Sequence, residues 1–495
     1  MLRRLRHLIG RDTDYDDPER VNRLTAYREI LDGTLYDRLP QEFHQERTDA
    51  DEYVPLRDRA PSVRFNMCRT VVQDSVAMLF GEGRFPQVMG DGPTDAQAWA
   101  AFIKATKLPK VMKRAALRGA VGSTAIRFRV LNNRPFFDVL DTTYLTPIWR
   151  DDAPDTLDRV VERYKVKGSA LVADGFNIPS EALGLDHWWQ RTWDGEAEWR
   201  HAPMLVQEWK DKNRPPLPID RGRSVRHDLG VVPIVWIENL PGDDEPDGAC
   251  TFAPAIDSQI ELEYQLSQAG RGLKYSADPT LLLKEPAVAE DGTLQRGADT
   301  ALVVSKDGDA KLLEISGGAS AAVIEYCRAL REYALESVRG HRAAADKISA
   351  AQSGRALELM YQPLVWLTDD LRTSYGESGL LDVLRMVQAV VRTGRVRLKD
   401  RDGAALEVPK GDVTLRWPAF FPATHEDKQS EATALATLIH DEVISKQTAT
   451  RLVAPNYDIE DIEAERGLIA GEMAEQMQRA QQVAAQVKLN ETGEA

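Results

Sequence analysis

"AADKISAAQSGRALELM", residues 344–360, separates two of the longest helical patterns in a chain of 495 residues. It is small and polar as far as Ser353-Gly354 and carries no large apolar cluster. Beyond that pair an apolar stripe begins, made of Leu357, Met360, Leu364, Leu367 and Leu371, with Ser353 placed to cap the new helix. The stripe resumes at Leu380, Leu381, Leu384, Val387 and Val391, and Pro363 is expected to kink its first turns.

Working back toward the N-terminus, "SAAVIEYCRALREYALESVRG" (320–340) sets Val323, Tyr326, Cys327, Leu330, Leu335 and Val338 at helical spacing and ends on Gly340, which suits a helix C-terminus. A matching pattern covers 253–275, with Ile256, Ile260, Tyr264, Leu266 and Leu273. Between the two lie strand-like runs, "TLLLK" (280–284), "ALVVS" (301–305) and "AKLLEI" (310–315), with Asp307-Gly308 as the turn between the last two. Two helices that bracket a small β module should lie side by side, with the module projecting from one end. The plain loop at 341–352 then falls at the other end.

The rest of the chain alternates in character. Residues 17–80 read as two helices parted by the prolines of "YVPLRDRAP" (53–61). A Gly/Pro-rich break, "GEGRFPQVMGDGPTD" (81–95), precedes a helical stretch over 95–120, interrupted at Pro109. The segment 123–140 reads as a hairpin with an Asn-Asn turn, and strands are expected at 157–166, 186–193, 196–199 and 231–237, with Asp194-Gly195 as a second hairpin turn. "NLPGDDEPDG" (239–248) reads as a solvated acidic linker. After a short strand in 413–420, helices over 426–442 and 458–489 lead to a polar tail. Trp188, Trp189, Trp193 and Trp199 read as cross-strand packing in preference to a platform for bases.

A net charge of -15 argues against a protein that coats nucleic acid with an open basic surface, though not against one past which a polyanion slides. Cys68, Cys250 and Cys327 form no CxxC, which points to reduced thiols in a cytoplasmic setting. The start "MLRRLRHLIGR" is basic, its apolar stretch too short for a signal peptide or membrane span, and Arg3, Arg4, Arg6 and Arg11 make it a solvated tail or an interaction arm. No phosphate loop, GxGxxG, HExxH or GxSxG occurs, and the eight histidines show no metal-ligand spacing. His425 and Asp427 read as helix caps. No cofactor, metal or catalytic residue is therefore expected. The chain is expected to be α+β, mainly helical, and not an enzyme.

The order of these motifs resembles the portal proteins of tailed double-stranded DNA bacteriophages and related prophages. The stretches that carry the resemblance are "LDGTLYDRLP" (31–40), "SVRFNMCRTVVQDSVAMLFGE" (62–82), "LGVVPIVWIENLPG" (229–242), the helix, β insert, helix and loop series ending in "SGRALELM" (353–360), and "EDKQSEATALATLIHDEVISKQTATRLV" (426–453). Residues 12–30, 41–49 and 186–208 match no such pattern. The resemblance implies a portal-type subunit: an N-terminal arm and helix at 1–50, a wing at 51–245, stem helices at 246–275 and 319–340, a clip at 276–318, a tunnel loop at 341–353, a long wing helix and strand at 354–424, and crown helices with a polar tail at 425–495.

Such subunits form a homo-oligomeric ring, a dodecamer in the usual case, around a channel at one capsid vertex of the virion, assembled in the host cytoplasm. Double-stranded DNA is packaged through the channel by the terminase and later ejected. The implied partners are terminase, head-completion and tail adaptor proteins, the major capsid protein and a scaffolding protein, with no membrane. In the tunnel loop, His341, Arg342 and Lys347 would touch phosphate, Asp346 would repel it, and Ser349 and Gln352 complete the channel face. Two other readings stay open: a non-enzymatic virion or assembly adaptor without a channel, and an enzyme that uses Asp243, Asp244 and Asp247 with a metal.

Overall fold

The computed structural model describes residues 12–92, 94–242, 245–277, 280–286, 304–313, 318–340, 359, 361–421, 425–454, 459 and 462–492. It is mixed α and β, 47% helical and 22% strand. The chain divides into two compact units, one of Met1–Arg342 with Gln362–Pro418 and one of Ala343–Tyr361 with Ala419–Ala495.

In the larger unit α1 (Pro18–Asp32) starts where the Asp17 carboxylate accepts the Arg20 amide and Pro18 takes a first-turn position, and it ends on Gly33 at φ 81°. Helix α2 (Met67–Phe80) is capped by Asn66, whose side chain accepts the Arg69 amide at 2.9 Å. It buries a face of Met67, Cys68, Val71, Val72, Val76 and Leu79. The expected Gly/Pro-rich break holds a short strand, β1 (Gln87–Gly90). Then come α3 (Asp95–Thr106) and α4 (Leu108–Gly119). Their junction is Lys107 in the left-handed region at φ 55°, not Pro109; the proline sits in the first turn of α4, where its missing N–H costs nothing.

The β-rich part forms two sheets. Strands β2 (Ser123–Leu131) and β3 (Arg134–Leu140) make the hairpin, with Asn132 at φ 52° and Asn133 at φ 63°, the two positive values that a type I′ turn requires. The larger sheet is built from β4 (Leu145–Arg150), β5 (Ala153–Lys167), β6 (Asp186–Trp193), β7 (Ala197–His201) and β8 (Ile219–Arg226), in the order β8-β7-β6-β5-β4. A two-residue strand, Met204–Leu205, adds beside β6. Strand β9 (Ile234–Glu238) pairs with β2 to complete the smaller sheet. Ala125, Leu145, Val160, Trp193, Ile234 and Trp236 form the core between the sheets. Trp188 and Trp193 are fully buried and so offer no face to a base, while Arg191 lies over the rings of Trp189 and Trp193, 5.2 and 4.5 Å from their centroids.

The acidic connector is not a solvated linker at its end. Asp247 is 2% exposed and takes a bidentate pair from Arg20, Nε to Oδ2 at 2.7 Å and Nη2 to Oδ1 at 2.9 Å, with the Ser123 hydroxyl donating at 2.5 Å. Arg20 Nη1 also donates to the Leu145 carbonyl and Nη2 to that of Thr142. Aspartate is used here because the buried guanidinium demands a counterion with satisfied lone pairs. Asp243 and Asp244 lie outside the described residues.

Next come α5 (Ile256–Ala277), β10 (Thr280–Pro286), β11 (Val304–Leu313) and α6 (Gly318–Ser337). The insert is a two-stranded antiparallel hairpin. Asp307-Gly308 is not a turn: β11 runs through it, and its turn tendency appears as a shift of register between the Lys284 and Pro286 pairings. Gly340 is not the left-handed residue that closes α6. Arg339 takes that role at φ 55°, while a Cβ on Gly340 would stand 2.8 Å from Val71 Cγ2, so the glycine permits close approach to α2.

The apolar stripe after the opening stretch forms α7 (Gln362–Arg372) and α8 (Leu381–Arg392), joined by a π-helical segment, Thr373–Leu380. Pro363 falls in the first turn of α7, just after a turn at Tyr361, while most of the stretch over which its kink was expected, 353–358 and 360, lies outside the described residues; a further irregularity is the π segment. It turns Tyr375 wholly inside, where its hydroxyl donates to Asn239 Oδ1 at 3.0 Å. Gly119 makes room, since a Cβ there would stand 2.1 Å from that hydroxyl oxygen. Strand β12 (Val413–Arg416) pairs with β1.

The smaller unit contains α9 (His425–His440), α10 (Lys446–Val453) and α11 (Ile462–Thr492). Ser445 caps α10 by accepting the Thr448 amide at 3.1 Å. None of the described side chains of α11 is buried, and Leu468, Ile469, Met473 and Met477 are exposed. The side chains of His425 and Asp427, and Ser353, lie outside the described residues.

Candidate channel and assembly module

Helices α5 and α6 pack against each other, joined through the hairpin. Thr280 pairs with Leu313, which brings the end of α5 close to the start of α6. Helix α6 also packs on the turn Ala253–Ala255 that opens α5, so the two run antiparallel. At about 1.5 Å per residue each is roughly 30 Å long.

The first half of α5 is the root of the module, and it is fastened to residues 59–68 by polar side chains. Gln259 Oε1 accepts the Cys68 amide at 2.9 Å, one of the donors that the start of α2 leaves free. Ser267 Oγ accepts the Val63 amide at 3.0 Å, and the Tyr264 hydroxyl donates to the Arg59 carbonyl at 2.9 Å. Between them the buried Glu263 accepts the Tyr36 hydroxyl at 2.6 Å. Burial pushes the Glu263 carboxyl up to about 7, against the opposing effects of Tyr36 and Arg64. Burial likewise raises the Tyr36 hydroxyl and the Cys68 thiol.

Past Ser267 the environment changes. Gln268, Gly270, Leu273 and Lys274 are exposed, and a Cβ on Gly270 would meet nothing within 4 Å. Helix α6 keeps one buried stripe, Cys327, Ala334 and Val338, and the Arg331 guanidinium lies over the Phe65 ring at 5.8 Å. Val323, Ala329, Leu330 and Leu335 are half-buried beside that stripe, and much of the remainder is exposed. Tyr326 and Tyr333, seven residues apart on one face, are 50% and 68% exposed, with Ile324 and Leu273 also open. Glu325, Glu332 and Glu336 share another exposed face.

The residues singled out in the loop, His341, Arg342, Asp346, Lys347, Ser349 and Gln352, all lie outside the described residues. What the sequence reading missed is the fastening set Gln259, Glu263 and Ser267. Its signal was present: polar residues four apart inside an otherwise apolar pattern mark a helix face that meets backbone donors. Of the acidic trio, Asp247 is committed to Arg20. Among the described residues no group of three or more His, Cys, Asp or Glu could hold a metal ion, and no helix is long and apolar enough to cross a membrane. No protein-family model matches the chain, and no curated protein matches it significantly.

Proposed function

We propose that the chain is the subunit of a portal ring, in which α5 and α6 are the stem, the β10–β11 hairpin belongs to the clip and the loop 341–353 narrows a DNA channel. The observation that supports this reading best is the antiparallel pair α5–α6. It is fastened at one end, carries a hairpin at the other, and leaves Leu273, Ile324, Tyr326 and Tyr333 open to solvent. Apolar side chains in such numbers on a projecting helix pair suit burial against a neighbouring copy. The face bearing Glu325, Glu332 and Glu336 suits a lumen that repels phosphate and so lets DNA slide, with His341, Arg342 and Lys347 as the sparse cations that touch it and Asp346 set against it. Terminase on one side, head-completion, capsid and scaffolding proteins around the ring, and a place at one capsid vertex belong to the same proposal.

Negative-stain imaging of the purified chain tests it. Rings with a central pore are expected, and Tyr326→Asp/Tyr333→Asp should yield folded monomers. Monomers of the unaltered chain at every concentration and salt, including with capsid and scaffold partners present, would refute the proposal.

A further inference from the structure

A groove of about 940 Å³ runs between the β4–β5 end of the larger sheet, the lead-in to β9 and the start of α8. Its floor is apolar, with Trp149, Leu157, Val231, Trp236, Leu381 and Met386. Its rim carries four carboxylates, Asp155, Asp158, Glu377 and Asp382, against two cations, Arg150 and Arg385, the first of them paired with Asp152 at 2.8 Å. Asp382 is paired with Arg385 at 3.1 Å, and Asp158 stands 4.0 Å from Arg159. Asp155 meets only the Thr156 hydroxyl, and Glu377 has neither an ion pair nor a hydrogen bond among the described residues. Burial and the nearby Asp155 raise the Asp382 carboxyl, as expected where carboxylates crowd without enough cations. An apolar trough edged by unpaired carboxylates fits a segment that alternates cations with aliphatic side chains.

Such a segment stands at the start of the chain. Residues 1–11, "MLRRLRHLIGR", place Arg3, Arg4, Arg6 and Arg11 among Leu2, Leu5, Leu8 and Ile9. The point from which it leaves is fixed. Asp12 pairs with Lys165 at 2.7 Å, Asp14 with Lys165 and Lys210, and Asp16 with Arg163 at 2.8 Å, so the acidic strap 12–16 is pinned to the far part of β5. From Lys165 to Asp158 on the groove rim is seven residues of strand, roughly 23 Å. Eleven extended residues span up to about 37 Å. We propose that the groove seats the leading part of the chain's own N-terminal arm, with Arg3 and Arg4 on Asp155 and Glu377 and Leu2 and Leu5 on the floor, while the residues after them span the distance from the strap. The proposal stands apart from the ring reading, since it concerns contacts within one chain.

Limited trypsin digestion of the full chain tests it, scored by mass spectrometry for cleavage after Arg3, Arg4 and Arg6 and compared with a free peptide of residues 1–11. The arm should be cut at least about tenfold more slowly than the peptide, independently of protein concentration. Asp155→Asn/Glu377→Gln should speed that cleavage about fivefold, the scale of two exposed ion pairs, while Glu472→Gln/Glu475→Gln in α11 leaves it unchanged. In the unaltered chain, 1 M salt, where screening acts within ~3 Å, should weaken protection too. An arm cut as fast as the peptide, or one equally protected in the variant and in high salt, overturns the proposal. Protection that fades on dilution assigns the arm to another copy and overturns it as well.

Discussion

Replacing Glu263 by Gln should tighten the root of the α5–α6 pair above neutral pH and leave it unchanged in acid. The carboxyl rises from its ordinary 4.5 to about 7 because it is buried. At 1.36 kcal/mol per decade this costs about 3 kcal/mol of stability once the group is ionised. The sign follows from proton binding: between about pH 4.5 and 7 the folded state holds the proton more often than the unfolded one, so stability falls as pH rises through that window and stays low above it. Glutamine keeps an acceptor for the Tyr36 hydroxyl and removes the charge. Hydrogen exchange reads the effect locally, because the Val63 and Cys68 amides end on Ser267 and Gln259, one turn either side of Glu263. Corrected for intrinsic rates, these amides should be equally protected in both proteins near pH 4.5. Near pH 8 they should be up to about a hundredfold better protected in the variant. Equal protection at both pH values, or a parent chain that gains protection as pH rises, would refute the reasoning.

Asp247→Ala should cost about 3 to 5 kcal/mol in urea unfolding by stranding the Arg20 guanidinium, while Arg20→Met/Asp247→Leu should cost less than Asp247→Ala alone. Gly119→Ala should destabilise by roughly 1 to 3 kcal/mol in the same assay, because its Cβ meets the Tyr375 hydroxyl, and adding Tyr375→Phe should recover part of the loss. In a packaging reaction with the matching terminase and capsid, Arg342→Ala/Lys347→Ala should leave rings intact by electron microscopy and lower the DNA packaged or retained; lost assembly would place these residues at an interface.

Local chemistry made much of the fold legible. The Asn-Asn turn and the strand at 186–193 each act through neighbours in sequence, so their patterns survive without knowledge of the fold. Where the reading went astray, a distant partner decided the outcome. Asp247 looks solvated until Arg20 is brought to it, and Asp307-Gly308 becomes an irregularity inside β11 because the residues on either side, Val304 and Asp309, pair with β10. The π segment at 373–380 was not legible, because it is where Tyr375 reaches the distant Asn239 and where Gly376 and Gly379 let the helix pass close to Trp417 and Ile237. The site behaved likewise: the apolar stripes of α5 and α6 were visible, whereas the fastening of Glu263 to Tyr36 joins residues far apart in sequence.

That separation has a consequence for synthesis. Arg20 and Asp247 are 227 residues apart, and so are Tyr36 and Glu263. A ribosome adding about 5 to 20 residues per second leaves roughly 10 to 45 s between the emergence of each first partner and its second. Throughout that interval the Arg20 guanidinium lacks its counterion, the Leu145 and Thr142 carbonyls being the acceptors that arrive first, and the Tyr36 phenol lacks its acceptor altogether. The bonds of Arg20 to Asp247 and of Tyr36 to Glu263 therefore form only once residues 247 and 263 have emerged, and not as α1 and the segment after it leave the ribosome.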